Sequence, residues 1–144
     1  MIKLLFVAFL FCVPSKPVWL HDINAAKETA KKENKLILLN FSGSDWCIPC
    51  IKMEDEVFNT DLFANYAKDQ LVLVNADFPR KKKNLLTKDQ QSINDHLAEK
   101  YNPGGSFPYT VLLDSAGNKL KIWDGYYKNG VEKFIQEIRA VSIK

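Results

Sequence analysis

Two thiols three residues apart, in the run Trp46-Cys47-Ile48-Pro49-Cys50, are the side chains here best equipped for chemistry. A thiolate attacks a disulfide sulfur to form a mixed disulfide, and a second thiol within reach then releases the product. That sequence of steps suits a motif opening a helix. A sulfur at a helix N-terminus meets unpaired backbone N–H groups and the positive end of the helix dipole, and both favour the thiolate. Pro49 is tolerated only in a helix's first turn, so the helix begins around Cys47–Ile48. Cys47 is then the nucleophile, and Cys50, one turn further in, is the resolving thiol. Lys52 should favour the thiolate, and Asp45 should oppose it slightly.

Two blander uses of the pair compete with this one. A disulfide closing a four-residue loop contributes only ~2 kcal/mol by chain entropy, a poor return for a structural staple. Zinc or copper needs further soft or imidazole ligands. Beyond the pair, the chain after residue 15 offers only His21, His96 and Met53. His96, between Ile93 and Leu97, reads as a half-buried packing residue. No metal and no cofactor are expected beyond a redox-active Cys47–Cys50 disulfide.

The motif must be held by its neighbours. Leu36–Phe41 (LILLNF) is apolar without alternation, as a strand covered on both faces would be, and Ser42-Gly43-Ser44-Asp45 breaks it just before Trp46. Ahead of it, Asp22 caps a helix over residues 23–34. Met53 and Val57 continue the inner face of the cysteine helix, and Asn59-Thr60-Asp61 restarts a helix with Leu62, Phe63 and Tyr66 on its apolar side. Leu71–Ala76 is a second buried strand, followed by the basic loop Phe78–Asn84. Thr87 and Gln90 form a capping-box pattern ahead of Ile93, Leu97 and Tyr101. Asn102–Ser106 ends that helix. Tyr109–Asp114 and Lys119–Trp123 are strands joined by a short turn, and Asn129 and Glu132 introduce a last helix carrying Val131, Phe134, Ile135 and Ile138. Strands separated by helices imply a parallel sheet, and the closing turn adds an antiparallel pair. The fold class is α/β, a mixed sheet of about four strands flanked by helices.

From about Asp22 to Val141 the chain resembles the thioredoxin fold family, and is most similar to the extracytoplasmic branch containing soluble domains of thiol:disulfide interchange proteins. The residues that carry the resemblance are Phe41 through Met53 with the W-C-x-P-C motif, Phe107-Pro108-Tyr109-Thr110 entering a strand, and Asp114 through Gly117. The resemblance implies that Pro108 is a cis-proline facing the cysteines, and that the backbone of Phe107 pairs with a substrate strand. Ile48, Pro49 and Lys52 support the motif, and Trp46 both packs and contacts substrate. The sequence departs from thioredoxins proper at Asn40, where they carry a buried Asp. Asn cannot take a proton from Cys50, which leaves Glu54, Glu56 or water.

Length and composition narrow the setting. The 144 residues suit one domain; 47% hydrophobic and 26% charged residues exclude a disordered chain. A net charge of +3 does not make a nucleic-acid binder. Three cysteines cannot all pair within the chain. Lys3 followed by the apolar run Leu4–Val13 resolves that oddity: as a helix it would span ~15 Å, half of a ~30 Å hydrocarbon core. It fits a signal peptide over residues 1–15, with a linker over 16–21 and the domain over 22–144. Removing it takes away Cys12 and leaves a net charge of +2, from the loss of Lys3 out of +3. An uncleaved membrane anchor and a lipid anchor on Cys12 are the alternatives, the second weakened because Phe11 is not small.

The expected activity is that of a secreted thiol–disulfide oxidoreductase, a monomer acting on cysteine-containing proteins and drawing electrons from a membrane-borne donor. The alternative is a non-catalytic binding or chaperone module of the same fold. Arg80–Lys83 reads as a solvated loop or as a docking patch for an acidic partner, Tyr126, Tyr127 and Trp123 as packing, and Gly104-Gly105 as a close approach of backbone to the active face.

Overall fold

Seven residues, Leu36–Ser42, form the strand β2 from which the rest of the molecule is hung. A computed structural model describes residues 16–142; the apolar run read as a signal, with Cys12, lies outside the described residues. The elements run β1 (Trp19–Leu20), α1 (Ile23–Glu33), β2, α2 (Ile48–Met53), α3 (Asp61–Gln70), β3 (Leu71–Asp77), α4 (Lys88–Tyr101), β4 (Tyr109–Leu113), β5 (Lys119–Asp124) and α5 (Val131–Ser142). The sheet order is β1-β3-β2-β4-β5, with β1, β3 and β2 parallel and β4 and β5 antiparallel. There are thus five strands rather than about four. The extra one, Trp19–Leu20, falls in the segment read as linker and pairs along the edge of β3.

Successive residues of β2 enter two separate cores, because strand side chains alternate between faces. Ile37, Leu39 and Phe41 join Ala26 and Ala30 of α1 and Leu97 and Tyr101 of α4 on one side. Leu38 faces the other side with Met53, Phe63, Phe134 and Ile138. Small Ala26 and Ala30, both fully buried, let α1 lie close against the sheet. Asn40 points to the Leu38 face, the one that carries α2.

Local chemistry sets the helix ends. Asp22 accepts from the Asn24 and Ala25 amides, and Asn34 closes α1 in the left-handed region at φ 53°. Thr60 caps α3 and Thr87 caps α4 through the Phe63 and Gln90 amides. Only half of the expected capping box is built, since the Gln90 amide group goes to His21 O and Asn94 Oδ1. Leu62 and Ile93 are 46% and 39% exposed rather than core; in α4 the buried position next to Ile93 belongs to Asn94, which donates to Asp77 O at 2.8 Å and ties the helix to the end of β3. Directly after α2, Glu54–Phe58 is a π-helical turn, and it puts both Val57 and Phe58 inside. His96 is exposed and bonded back to Ser92 O, not half-buried. Gly104 and Gly105 face open space, so neither serves a close approach; Gly105 is required by its φ of 66°.

Phe134 centres the larger core, with the rings of Trp123, Tyr127, Phe58 and Phe63 at 4.6, 5.2, 6.0 and 6.2 Å. Truncating a fully buried aromatic loses its transfer energy and leaves a cavity. Phe134→Ala should therefore lower stability by about 3–5 kcal/mol in urea unfolding; a loss below about 1 kcal/mol would show that α5 does not anchor this core.

Candidate active site

Where β2 ends, Gly43 accepts from the amides of both Trp46 and Cys47, and the tight turn delivers Cys47 to the start of α2. Cys47 is the N-cap: its Sγ accepts from the Cys50 amide at 3.3 Å. The two sulfurs form a disulfide, with Cα atoms 5.2 Å apart and each residue only 4% exposed. Ile48 and Pro49 occupy the first helical positions and are exposed, Ile48 at 77%. A sulfur in this position faces the amide donors of the helix start, which stabilise negative charge on it once the disulfide opens.

Trp46 connects the motif to two other loops. Its indole N–H donates to Phe78 O at 2.7 Å, its ring meets Phe107 edge-on at 5.6 Å, and the Arg80 guanidinium lies over it at 3.5 Å. Phe78 and Phe107 are themselves in edge contact at 5.5 Å. The Phe107–Pro108 peptide is cis, as the resemblance implied, and Pro108 is buried at the entry to β4. The sequence marked Gly43 only as part of the break after the strand. A Cβ there would run into the Trp46 indole, a demand that only the folded turn reveals.

Beneath the disulfide lies a cavity of about 120 Å3 lined by Trp19, Asn40, Ser42, Ser44, Cys50, Glu54, Phe58 and Asn75. Asn40, where thioredoxins proper carry Asp, is fully engaged: it donates to Asn75 Oδ1 at 3.1 Å and accepts from Thr110 Oγ1 at 3.0 Å. Of the two carboxylates considered for Cys50, Glu54 lines this cavity. Glu56 instead accepts from the Tyr126 hydroxyl and pairs with Lys52 at 3.8 Å. Lys52 also lies over the Tyr126 ring, so its charge is shared with these two partners. Among the described residues, no three His, Cys, Asp or Glu side chains gather as a metal site would require.

Asp45 is turned away from the thiols and into the basic loop. It accepts from the Arg80 and Lys81 amides at 2.9 and 3.0 Å and from the Asn84 side chain at 2.9 Å. The Arg80 amide bond, with help from Asn84 and Lys81, holds its carboxyl below the usual value of 3.8 despite some desolvation. Because the folded form binds the proton less tightly than the unfolded chain, this contribution is complete above the ordinary Asp range. It is lost as pH falls through the lowered value. In an NMR titration the Arg80 and Lys81 amide resonances should move together with a midpoint below 3.8; a midpoint at or above it would mean that the carboxylate is not held by these bonds.

Comparison with known proteins agrees with this geometry. A family model described as thioredoxin-like domain matches residues 23–142. The chain is 34% identical over 115 residues to the disulfide bond reductase DsbH of Chlamydia pneumoniae, covering 80% of this chain and 67% of that protein. A thioredoxin-related protein of the same organism, DsbJ, is 29% identical over 86 residues, 54% of this chain but only 25% of its own length. A solved DsbH oxidoreductase superposes with a TM-score of 0.79 at 31% identity, covering 88% of this chain and 85% of the other. A thioredoxin from Thermus thermophilus shares the fold at 17% identity, with a TM-score of 0.66 and 90% of each chain covered. With the cysteine pair at the head of α2 and the cis-proline at the entry to β4, the chain belongs to the thioredoxin-like family.

Proposed function

We propose that this thiol–disulfide oxidoreductase works outside the cytoplasm and runs chiefly in the reducing direction on disulfides of other proteins. The observation that carries the reading is the Cys47–Cys50 disulfide at the N-terminus of α2, beside the cis Phe107–Pro108 turn. In the reduced protein the Cys47 thiolate, held by the Cys50 amide, attacks a substrate disulfide and expels one substrate thiolate. Cys50 then attacks Cys47 in the mixed disulfide, which closes the Cys47–Cys50 bond and releases the second substrate thiol. Trp46 and Phe107 form the apolar wall for the substrate segment, and Phe107 offers it backbone hydrogen bonds. Ile48, Pro49 and Lys52 keep the motif in place.

The apolar run Leu4–Val13 supports export, and no helix among the described residues is long and apolar enough to cross a membrane. Reduction in an oxidising compartment consumes electrons that the surroundings do not supply, so a membrane-borne donor completes the cycle. The protein acts as a monomer, with no metal or other cofactor. The reducing direction is supported by Pro49 before the second cysteine and by the similarity to a protein named as a disulfide bond reductase.

Cys50→Ser should accumulate mixed disulfides through Cys47, while the wild type reduces insulin. A wild type inert on insulin, together with no trapped species, would leave the non-catalytic module as the reading. A redox titration fixes direction: a midpoint near about −270 mV fits a reductant, near about −120 mV an oxidant.

Resolution also needs a base for Cys50, and we assign it to Glu54 through the polar cavity the two share, which has room for water. Glu54→Gln should slow release from the Cys47 mixed disulfide about tenfold or more in quenched-flow. Glu56→Gln, whose carboxylate is committed to Tyr126 and Lys52, should not; equal rates for wild type and Glu54→Gln would return the role to bulk water.

A further inference from the structure

The loop after β3 carries four consecutive cations, Arg80, Lys81, Lys82 and Lys83, all exposed and none in an ion pair among the described residues. Such a run is ordinarily a mobile, solvated face. Here it is bolted to the redox motif. Asp45, two residues before Cys47, grips the Arg80 and Lys81 amides and the Asn84 side chain. Trp46 donates to Phe78 O, and Ser44 donates through its amide to the Asp77 carboxylate at 2.9 Å. The Arg80 guanidinium rests on the indole of Trp46, next in sequence to the nucleophile.

Two consequences follow. Asp45 takes its hydrogen bonds from two backbone amides and the Asn84 side chain rather than from any of the four cationic side chains, and its single negative charge offsets only part of their four positive ones. Among the described residues Asp45 is the acidic side chain hydrogen-bonded to the loop, and Asp77 at its base is bonded to Ser44, so positive charge is in local excess beside the motif. The loop is also held in place before any partner arrives, so contact with it costs little ordering entropy. Apolar Ile48, within the cysteine motif, and Leu85, just past Asn84, are 77% and 60% exposed.

We propose that Arg80–Lys83 form a cationic rim to the substrate groove, and that the preferred substrates are proteins carrying acidic residues beside the disulfide to be reduced. The inference rests on the oxidoreductase reading above and adds a specificity to it. Its energy is mainly long-range and Coulombic. It therefore speeds encounter at low ionic strength and fades with salt.

The test uses pre-reduced full-length protein and synthetic peptides, each with one internal disulfide flanked by Asp-Glu, Ser-Ser or Lys-Lys pairs. In a single turnover the two protein thiols become the Cys47–Cys50 disulfide, and the peptide disulfide takes up two electrons and two protons to become two thiols. Each rate is divided by that of the same peptide with dithiothreitol, which removes intrinsic differences in reactivity. The acidic peptide should outrun the neutral one about tenfold at ~20 mM salt and less than about twofold at ~0.5 M, as the screening length shrinks from about 20 Å to about 4 Å. The triple variant Lys81→Glu, Lys82→Glu, Lys83→Glu should reverse the preference. Lys31→Glu, Lys32→Glu, Lys68→Glu makes the same change in net charge at the end of the sheet where β2 and β3 start, and should keep it.

Equal normalised rates at low salt would overturn the proposal, as would a shift of equal size in both triple variants, which would trace the effect to net charge. Sedimentation with phosphatidylglycerol vesicles, lost in the rim variant and accompanied by no peptide preference, would assign the loop to a membrane surface and also overturn it. The neutral peptide reports separately on the underlying activity: if wild type fails to reduce it at all, the oxidoreductase reading fails, whatever the loop does.

Discussion

Everything at the active end depends on one constraint: β2 is hydrogen-bonded on both edges and covered on both faces, so it cannot move. β3 runs parallel along one side and β4 antiparallel along the other, in register over residues 36–42 and 37–41. Ile37 through Phe41 are buried with scarcely any exposure. A chain leaving such a strand has a fixed exit point, and the Gly43 turn converts that point into the first turn of a helix. Cys47 therefore inherits its position from the sheet. The neighbouring loops do so too: Phe78 leaves β3 bonded to Ser42 O, and Phe107–Pro108 enters β4 beside it. Three loops from three adjacent strands meet at Trp46 because the strands themselves are adjacent.

How much of this was legible in the sequence depended on whether the signal was local. The run Leu36–Phe41 announced a strand covered on both faces because both of its side-chain sets are apolar. Pro49 located the helix start to within a residue, through its missing N–H. Asp22, Thr60 and Thr87 disclosed helix starts by their side-chain chemistry. Trp19–Leu20 escaped, since two residues hold no periodicity and only pairing with β3 makes them a strand. The π-helical turn at Glu54–Phe58 escaped for a related reason. One added residue per turn is invisible in composition, yet it shifts which positions face inward. Leu62 and Ile93 were misplaced because a helix that touches the sheet along a narrow strip leaves apolar flanks in solvent. The cis peptide came from family resemblance alone; nothing in Phe107-Pro108 itself specifies it.

The polar floor of the site shows a different kind of limit. Asn40 was visible as a departure from thioredoxins proper, but its consequence was not. In the fold it is held between Asn75 and Thr110, each bond near 3 Å, so the group under Cys50 is neutral and its hydrogen bonds are satisfied. Burying a carboxylate there would carry a large desolvation cost unless it were protonated or paired. An amide avoids that cost, and it also removes the acid–base group from the floor. Glu54, exposed to solvent, lines the same cavity. That Glu54 rather than Glu56 lines the cavity follows from the helix geometry after Met53. The π turn and the Tyr126 hydroxyl together draw Glu56 to another surface.

Asp45 illustrates why a charge near a motif cannot be judged from spacing. Two residues before the nucleophile, a free carboxylate would raise the cost of a thiolate. Three donors from residues 80–84 are directed at it, which stabilises the charged carboxylate and fixes it against the loop. The same bonds tie the loop that carries four cations to the residue two before Cys47. A residue that sequence alone marks as mildly inhibitory thus becomes the clamp that joins the basic loop to the cysteine motif. The basic run and the acidic residue meet only because β2 and β3 are neighbours in the sheet. Sheet topology, not the order of residues along the chain, decides which charges stand beside the motif.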